Sequence, residues 1–490
     1  MDSPIVTQLF RQLFRHRPRG CQARRLRGDD GPRRGYATRA SRDRGMRTNE
    51  SRWQHRTDIL AEDRLDEFAK YPSISLEELK TRTQRPRRVK MLLRDFIDDS
   101  LYNPSYGYFS KQAVIFSPGT AFDFGSFRDE LDFQRELARR YDEFEDGLDA
   151  AAGGPDAMRQ LWHTPTELFG PYYGEAVARY LVSNYRLTTY PYDDLVIFEV
   201  GAGRGTLMLN ILDHIRDTDP QVYARTRYTI VEISPAMAAV QAARLRATAH
   251  ADRVDIERRS IFDWDRRVPT PCFFLALEVF DNLAHDGIRY DVETEAPLQG
   301  HVLVDADGDF HEFYLHRLDP VAARFFRLRH AATAGAYPRP YPPSALLRRL
   351  AARLPLAANL SDPEYVPTRL MQFFDVLERH FPAHRLLAAD FAALPDAVRG
   401  LNAPVVQTRY RRTMVPVSTP LVHQGFFDIL FPTDFAVAEA LYRAITGRLT
   451  RVLSHGDFMR RWADVDDTRT RSGESPLLTH YRNASVLLTV

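Results

Sequence analysis

Three glycines between a short apolar strand and a helix are the feature that most constrains the fold. The strand is predicted over Leu195–Val200 and the helix over Leu207–Ile215, and the loop reads Glu199-Val-Gly-Ala-Gly-Arg-Gly205. Glycine permits a tight turn and lets a ligand approach the backbone closely. A strand, a glycine-rich loop and a helix in this order predict a ligand-binding loop at the edge of a parallel α/β sheet.

The spacing of the glycines indicates which of several nucleotide-like ligands the loop can bind. A dinucleotide site needs glycine three residues after the second glycine of the loop, where this chain has Thr206. A P-loop needs Gly-Lys-Ser/Thr, and no such run occurs. The loop therefore favours S-adenosylmethionine, held by Glu199, Gly201, Gly203, Gly205 and Thr206. A nicotinamide-binding oxidoreductase and a structural turn without a ligand are the alternatives.

Strand-like and helix-like runs alternate on both sides of this loop. After the helix, the predicted strands are Tyr228–Ile233, Val254–Glu257, Cys272–Leu277 and Arg385–Asp390, and the predicted helices run from Pro235 to about Ala249 and over Thr368–His380. Buried strands that alternate with helices predict an α/β protein with a doubly wound parallel sheet.

The remaining segments are predicted from composition and periodicity. Helical spacing indicates helices over residues 58–70 and 90–101. Small and turn-forming residues indicate a surface insertion over 146–157, and an Ala-, Pro- and Tyr-rich stretch over 331–364 reads as an excursion or lid. The β-rich segment 407–438 is expected to close the main sheet with antiparallel strands.

The N-terminus has the pattern of an import signal. Apolar residues recur at helical spacing over residues 5–14, beside Arg11 and Arg15. An amphipathic, Arg-rich and acid-poor segment is typical of a mitochondrial presequence, and Arg34-Gly-Tyr-Ala37 has the form of a matrix-peptidase site. The sequence therefore predicts a presequence over 1–36 and a mitochondrial location. A disordered basic tail and a nuclear signal are the alternatives.

Charge and composition argue against several function classes. Residues 1–40 hold ten arginines and three aspartates, about +7, so the net charge of +2 leaves about −5 on the other 450 residues. A nucleic-acid-binding protein carries its positive excess on the folded part, so nucleic-acid binding has no support. No apolar run reaches the ~18–20 residues that cross a bilayer, which predicts a soluble mature protein without a transmembrane segment. Cys21 and Cys272 support neither a disulfide framework nor a metal site.

Two further strand ends carry residues suited to the adenosine part of the cofactor. Glu232 ends the second strand, where a carboxylate can accept hydrogen bonds from both ribose hydroxyls. The third strand leads into Ser260-Ile-Phe-Asp263. Phe262 is a candidate for packing on the adenine ring, with plain core packing as its alternative, and Asp263 is a candidate acceptor for the exocyclic amine.

The fourth strand leads into two carboxylates three residues apart, Glu278 and Asp281. The carboxyl ends of strands in an open α/β sheet line the ligand crevice. A pair of carboxylates there could orient a guanidinium and stabilise charge while it loses a proton. Glu278 and Asp281 are therefore the catalytic candidates, and a helix cap or a surface position is the alternative for either.

Four motifs in order resemble those of the MidA-like family of S-adenosylmethionine-dependent methyltransferases. They are Leu101-Tyr-Asn-Pro-Ser-Tyr-Gly-Tyr-Phe109, Thr164-Pro-Thr-Glu-Leu-Phe-Gly-Pro-Tyr-Tyr-Gly174, Phe198-Glu-Val-Gly-Ala-Gly-Arg-Gly-Thr-Leu207 and Leu277-Glu-Val-Phe-Asp-Asn282. The similarity runs from about 91 to 435, and the segment Gly425–Asp434 looks characteristic of a divergent branch.

The resemblance implies a class I (Rossmann-like) methyltransferase fold in the mitochondrial matrix. It implies symmetric dimethylation of an arginine on a protein substrate, a core subunit of respiratory complex I, in support of complex I assembly. On this basis we expect the domain division that follows. It comprises a presequence over 1–36, a disordered lead-in over 37–57, an N-terminal helical and substrate-covering region over 58–175, the methyltransferase domain over 176–440 with its insertion near 331–364, and a helical C-terminal extension over 441–490.

The chain departs from the family pattern on the acceptor side. The residue before Glu278 is Leu277 where the family usually has a polar residue, and Asn282-Leu-Ala-His285 replaces a small-apolar-proline ending. His285 and Asp286 add polar groups of their own. A non-catalytic assembly chaperone that keeps a cofactor-binding methyltransferase fold is therefore the second hypothesis.

Overall fold

The computed structural model describes residues 65–490 except 112, 345, 349–358, 396 and 397. The predicted presequence and lead-in lie outside the described residues. Of the helix predicted over 58–70, the described part is helical over Leu65–Lys70.

The strands of the described residues carry labels in chain order. They are β1 (Val89–Leu92), β2 (Ala113–Ile115), β3 (Gln160–Trp162), β4 (Leu195–Val200), β5 (Thr226–Glu232), β6 (Val254–Arg258), β7 (Cys272–Leu277), β8 (Asp286–Tyr290), β9 (Pro297–Val304), β10 (Phe310–Leu315), β11 (Glu364–Val366), β12 (His384–Phe391), β13 (Val405–Tyr410), β14 (Thr413–Val417), β15 (Asp428–Leu430), β16 (Thr450–Ser454) and β17 (Ala484–Thr489).

The helices are named by their bounds. The α-helices are Leu65–Lys70, Leu76–Lys80, Leu93–Tyr102, Tyr108–Lys111, Glu130–Ala152, Pro165–Leu168, Tyr172–Thr188, Thr206–Thr218, Pro220–Tyr223, Pro235–Arg246, Pro320–Thr333, Thr368–His380, Phe435–Thr446, His455–Trp462 and Pro476–Thr479, and short 3₁₀ turns lie at Phe124–Ser126, Ile261–Asp263 and Asp466–Thr468. None of the helices in the described ranges is long and apolar enough to cross a membrane.

The main sheet has seven strands in the order β16-β17-β12-β7-β4-β5-β6. The five strands from β12 to β6 are parallel, while β17 is antiparallel to β12 and β16 is antiparallel to β17. The predicted doubly wound α/β class is confirmed. β4, β7 and the helix Thr368–His380 have the predicted bounds, because each shows its pattern within one short segment.

Helices cover both faces of this sheet because its central strands are apolar on both sides. On one face of the sheet, Ile197 of β4 packs against the helices Tyr172–Thr188 and Thr206–Thr218. On the other face, Phe198 of β4 packs against the helices Thr368–His380 and Phe435–Thr446. Such continuous apolar strands are expected when a parallel sheet is buried on both faces.

Three smaller sheets lie outside the main one, and the smallest pairs β2 with β3 in parallel. β8 to β11 are inserted between β7 and β12 and form an antiparallel sheet with β1, in the order β1-β9-β8-β11 with β10 on β9. β14, β13 and β15 form a three-stranded sheet. The helix Leu93–Tyr102 packs between them in a third core cluster.

The predicted helix over 90–101 is correct only from Leu93 onward. Val89 and Met91 are buried and alternate with half-buried neighbours, so residues 89–92 form β1 and pair with β9. The sequence places residues 90–92 in the helix because their two-residue alternation directly precedes the helical pattern.

The segment predicted as a surface insertion over 146–157 is mostly exposed, but its first half is helical and not turn-rich. The helix Glu130–Ala152 continues through it and ends at Gly153, whose φ is +80°. The carboxylate of Glu145 accepts hydrogen bonds from Arg409 at 2.7 and 2.6 Å, so a partner 264 residues away holds this part of the helix.

The predicted closing strands are misplaced. The strands within 407–438 form the separate three-stranded sheet, and β16 and β17 close the main sheet. Residues 441–490 are therefore not purely helical. β17 pairs with β12 in the register Leu387↔Leu488, a contact between segments far apart in the sequence. The domain boundaries and the lid over 331–364 stay predictions.

Candidate active site

A cavity of about 1020 Å³ opens at the carboxyl ends of β4 to β7. The segments Leu161–Glu167 and Tyr102–Ser110 of the N-terminal region face these strand ends across it. Nine of the ten residues predicted for the site line this cavity: Glu199, Gly201, Gly203, Thr206, Glu232, Phe262, Asp263, Glu278 and Asp281. The tenth, Gly205, does not line it.

The three loop glycines all have a left-handed backbone, with φ of +68° at Gly201, +51° at Gly203 and +77° at Gly205. This region of the Ramachandran map is unfavourable for residues with a Cβ atom. A Cβ on Gly203 would lie 2.8 Å from Cδ1 of Ile115, and one on Gly201 would lie 3.2 Å from Cγ2 of Val279. The first two glycines leave the backbone open to the cavity, while Gly205 turns the chain into the helix Thr206–Thr218.

Thr206 binds protein groups on both sides. Its hydroxyl donates to Oε1 of Glu167 at 2.6 Å and accepts from Arg244 at 2.6 Å. Glu167 belongs to the motif at 164–174, so this contact fixes the N-terminal region against the glycine loop. A contact between Thr206 and the cofactor stays a prediction.

Glu199 and Glu232 are buried carboxylates at the ends of β4 and β5. Glu199 accepts from the Tyr228 hydroxyl at 2.8 Å, and burial raises its pKa to about 7. The two oxygens of Glu232 accept from the backbone N–H of Ser234 at 2.8 Å and from the side chain of Gln241 at 2.9 Å. Burial also raises the pKa of Glu232.

Gln241 links the carboxylate of Glu232 to the glycine loop. Its amide nitrogen also donates to the carbonyl oxygen of Gly203 at 2.8 Å, and its amide oxygen is buried without a partner among the described residues. The helix Pro235–Arg246 places it there, and no motif in the sequence marks it.

Phe262 and Asp263 occupy different environments at the end of β6. Ile261 is core, whereas the ring of Phe262 is half-buried, lines the cavity and has Arg369 5.2 Å from its centroid. The side chain of Asp263 is 55% exposed and lies 3.6 Å from Lys80. Phe262 is therefore placed to pack on a flat ring, and Asp263 is open to solvent.

The acidic loop after β7 brings Glu278 and Asp281 to the cavity wall. Glu278 has a left-handed backbone with φ of +55°, and Asp281 is 2% exposed. Burial raises the pKa of both carboxyls well above their usual ranges, and the nearby Asp390 raises them further. One oxygen of Asp281, Oδ1, is buried without a hydrogen-bond partner among the described residues.

Asp390, at the end of β12, holds this loop in place. Its Oδ2 accepts the backbone N–H groups of Val279, Phe280 and Asp281 at 3.1, 2.7 and 3.2 Å. A carboxylate oxygen that satisfies successive backbone amides fixes a strained turn. Asp390 is therefore a positioning residue that the sequence analysis does not identify. The strand-end rule, by which polar residues at the carboxyl ends of the strands are site candidates, selects Glu232 and applies equally to Asp390.

We expect Asp390→Asn to lower the free energy of unfolding by about 1–3 kcal/mol, because the amide group leaves a buried N–H without its acceptor. Urea unfolding measures the change, and Asp434→Asn is the control, since asparagine caps a helix as well as aspartate does. Equal stability of Asp390→Asn and the wild type would contradict this role.

The polar residues that follow Asn282 serve the structure. His285 is stacked on Phe431 with centroids 3.9 Å apart, and burial lowers its pKa to about 3, so it is neutral. Asp286 forms an ion pair with Arg94 and accepts from Gln299 at 2.8 Å and Thr368 at 2.6 Å. Neither residue lines the cavity.

The residues present fit S-adenosylmethionine. Gly201 and Gly203 line the cavity with a left-handed backbone that favours glycine, Glu232 lies at the end of the second strand, and Phe262 offers a partly open ring. Within the described residues, no group of three or more His, Cys, Asp or Glu side chains could hold a metal ion. The sheet order together with this site defines a class I S-adenosylmethionine-dependent methyltransferase.

The comparisons with known proteins agree with this class. The chain belongs to the Methyltransf_28 family of S-adenosyl-L-methionine-dependent methyltransferases, whose model matches residues 176–453. S-adenosylmethionine is therefore its cofactor, and the resemblance to the MidA-like proteins is confirmed.

Two relatives illustrate the family. A protein of Schizosaccharomyces pombe named mitochondrial protein arginine methyltransferase NDUFAF7 homolog is 24% identical over 389 residues, which are 77% of this chain and 80% of that protein. A solved structure of a Burkholderia thailandensis protein bound to S-adenosyl-homocysteine has a TM-score of 0.51 and 15% identity, and covers 82% of this chain and 88% of that chain. At this identity the second likeness shows the fold alone.

Proposed function

We propose that the chain transfers methyl groups from S-adenosylmethionine to an arginine side chain of a protein. Glu278 and Asp281 are the proposed catalytic residues. The proposed cofactor-binding residues are Glu199, Gly201, Gly203, Gly205, Thr206, Glu232, Phe262 and Asp263.

The observation that carries this proposal is the buried acidic loop without a counter-charge. Among the described residues, neither Glu278 nor Asp281 forms an ion pair with a Lys or Arg, and the nearby Asp390 raises the pKa of both carboxyls. The cavity wall as a whole has eleven Asp and Glu against five Lys and Arg. Buried carboxylates that lack a cation are costly, so a cationic acceptor would stabilise them.

The geometry suits a guanidinium acceptor. S-adenosylmethionine supplies an electrophilic methyl group when bound. Glu278 and Asp281 can accept N–H bonds from the guanidinium and so direct one nitrogen toward the methyl group. The carboxylates also stabilise the positive charge while that nitrogen loses its proton, which passes to a carboxylate or to water.

Kinship supports the finer parts of the proposal. The relative named as a mitochondrial arginine methyltransferase and the Arg-rich N-terminus support action in mitochondria, and we place it in the matrix. We propose a respiratory complex I subunit as the substrate, with symmetric dimethylation of its arginine. This part rests on the MidA-like resemblance.

An in vitro methylation assay tests the proposal, with the proteins of cells that lack this chain as substrates. The purified protein with S-adenosylmethionine that carries a labelled methyl group should label a mitochondrial protein. Acid hydrolysis should release symmetric dimethylarginine. Label in lysine or histidine would refute the arginine acceptor, and label in asymmetric dimethylarginine would refute the symmetry.

We expect methyl transfer at low acceptor concentration to increase as the pH is raised. The acidic carboxyls have raised pKa values because they are buried, so they hold protons at low pH, and a guanidinium binds their charged forms. Arginine itself does not titrate near neutral pH. Initial rates against pH measure the effect, which Asp281→Asn should reduce, and a flat wild-type profile would contradict it.

A further inference from the structure

Asp428 brings a third carboxylate to the acidic side of the cavity. It begins β15 in the small three-stranded sheet, is 3% exposed and lines the cavity. The preceding turn is fixed by Gly425, whose φ is +82° and whose Cβ would lie 1.7 Å from the carbonyl oxygen of Tyr106. Only glycine allows this contact, which holds the turn against the N-terminal region.

β15 is bonded to the acidic loop at two points. The side-chain amide of Asn282 donates to Oδ1 of Asp428 at 3.1 Å and to the carbonyl oxygen of Ile429 at 3.3 Å. The backbone N–H of Phe431 donates to the carbonyl oxygen of Asp281 at 2.7 Å. Asp281 and Asp428 are therefore held side by side on two chain segments that are joined to each other.

The hydroxyl of Tyr102 marks where these acids converge. It donates to the carbonyl oxygen of Asn282 at 3.1 Å. Burial raises the pKa of Tyr102, and the charges of Asp98, Asp281, Asp428 and Asp390 raise it further. Tyr102 also lines the cavity and stacks on Phe109 with centroids 5.5 Å apart, which gives the acids an aromatic wall.

The acidic group lacks a cation of its own. No Lys or Arg of the described chain perturbs the pKa of Asp428, which burial raises to about 7. In addition, Oδ1 of Asp281 is a buried acceptor without a partner among the described residues, and Asp281 lines the cavity. Carboxylates from separate segments beside an aromatic wall match a planar guanidinium, which has five N–H donors and stacks on rings.

From this arrangement we propose that Asp428 binds the acceptor guanidinium directly, as the third carboxylate of the acceptor pocket beside Glu278 and Asp281. The proposal rests on the proposed arginine acceptor and adds to it a residue outside the methyltransferase sheet. Asn282, which replaces the usual residue of the family at this position, then orients Asp428 through its amide.

A titration with a minimal arginine side chain tests this assignment. The protein is saturated with S-adenosylhomocysteine, and ethylguanidinium binding is followed by ligand-detected NMR, with propylammonium as the ammonium probe. We expect Asp428→Asn to weaken ethylguanidinium binding about 10- to 100-fold, the loss of one charged contact. The asparagine keeps the acceptor for Asn282, so affinity for S-adenosylhomocysteine should stay within twofold and show that the fold is intact.

Two variants control the experiment. Asp428→Glu keeps the charge and should recover part of the lost affinity. Asp434→Asn removes a charge six residues away, at a half-buried helix cap outside the cavity, and should bind as the wild type does.

Each outcome decides a separate question. If the wild type binds ethylguanidinium and Asp428→Asn binds it equally well, the role of Asp428 is refuted while the arginine acceptor stands. If Asp428→Asn weakens both probes alike, or Asp428→Glu fails to recover affinity, the guanidinium contact is refuted. A wild type that binds S-adenosylhomocysteine but not ethylguanidinium would overturn the arginine acceptor and this assignment together.

Discussion

Gly203→Val is expected to weaken S-adenosylmethionine binding about 100-fold or more. Valine is β-branched and strongly disfavours the left-handed backbone at Gly203, where φ is +51°. Its Cβ would also press on Ile115, 2.8 Å away. The side chain of Ile115 can move, so the larger effect is the shift of the loop, which turns its amides away from the ligand and displaces the Gly203 carbonyl from Gln241. Isothermal titration calorimetry measures the affinity.

Gly447→Val separates this effect from backbone strain alone. Gly447 has a similar φ of +69° at the end of the helix Phe435–Thr446, with no atom within 4 Å of an added Cβ. This substitution should cost about 1–2 kcal/mol of stability and leave the affinity unchanged. If Gly203→Val bound S-adenosylmethionine as tightly as Gly447→Val, the glycine loop would not be the cofactor site.

Asp281→Asn is expected to slow methyl transfer about 100- to 1000-fold while the cofactor still binds. The substitution removes a charge at the acceptor side and keeps the size of the side chain, and losses of this order follow the removal of one charge-stabilising contact. The backbone contacts of residue 281 to Asp390 and Phe431 do not involve its side chain and should persist. Single-turnover transfer to the labelled mitochondrial substrate measures the chemical step, and calorimetry measures cofactor affinity.

Asp255→Asn is the matched control for this loss of charge. Asp255 is an exposed residue of β6 that does not line the cavity, so its variant should transfer methyl groups at the wild-type rate. Full activity in Asp281→Asn would remove the acceptor role from Asp281. Cofactor binding by the wild type without transfer to any mitochondrial protein would favour the non-catalytic assembly chaperone.

Local patterns were enough to predict the centre of the fold. β4 and β7 have the predicted bounds because a short apolar run between turn-forming residues defines a buried strand by itself. The edges of the fold were harder. The sequence does not predict β1 or β17 as strands, because their partners β9 and β12 lie far away in the sequence. It does not predict β16 either, which pairs with β17.

The site residues also divide into those that the sequence can predict and those that it cannot. The strand-end rule selected Glu232, Glu278 and Asp281, which all line the cavity. It could also have selected Asp390 at the end of β12. It could not have selected Gln241, which reaches Glu232 from a helix, or Asp428, which belongs to another sheet.

The sequence by itself determined the cofactor side of this protein, because one continuous strand, glycine loop and helix contains the geometry that S-adenosylmethionine needs. The sequence also pointed to Glu278 and Asp281, but only the tertiary structure decided how the acceptor side is assembled around them. Asp390 holds the acidic loop from 109 residues beyond Asp281, and Asn282 meets Asp428 across 146 residues. Contacts over such separations depend on the whole fold, because burial of the core and strand pairing bring the segments together and no local pattern records them.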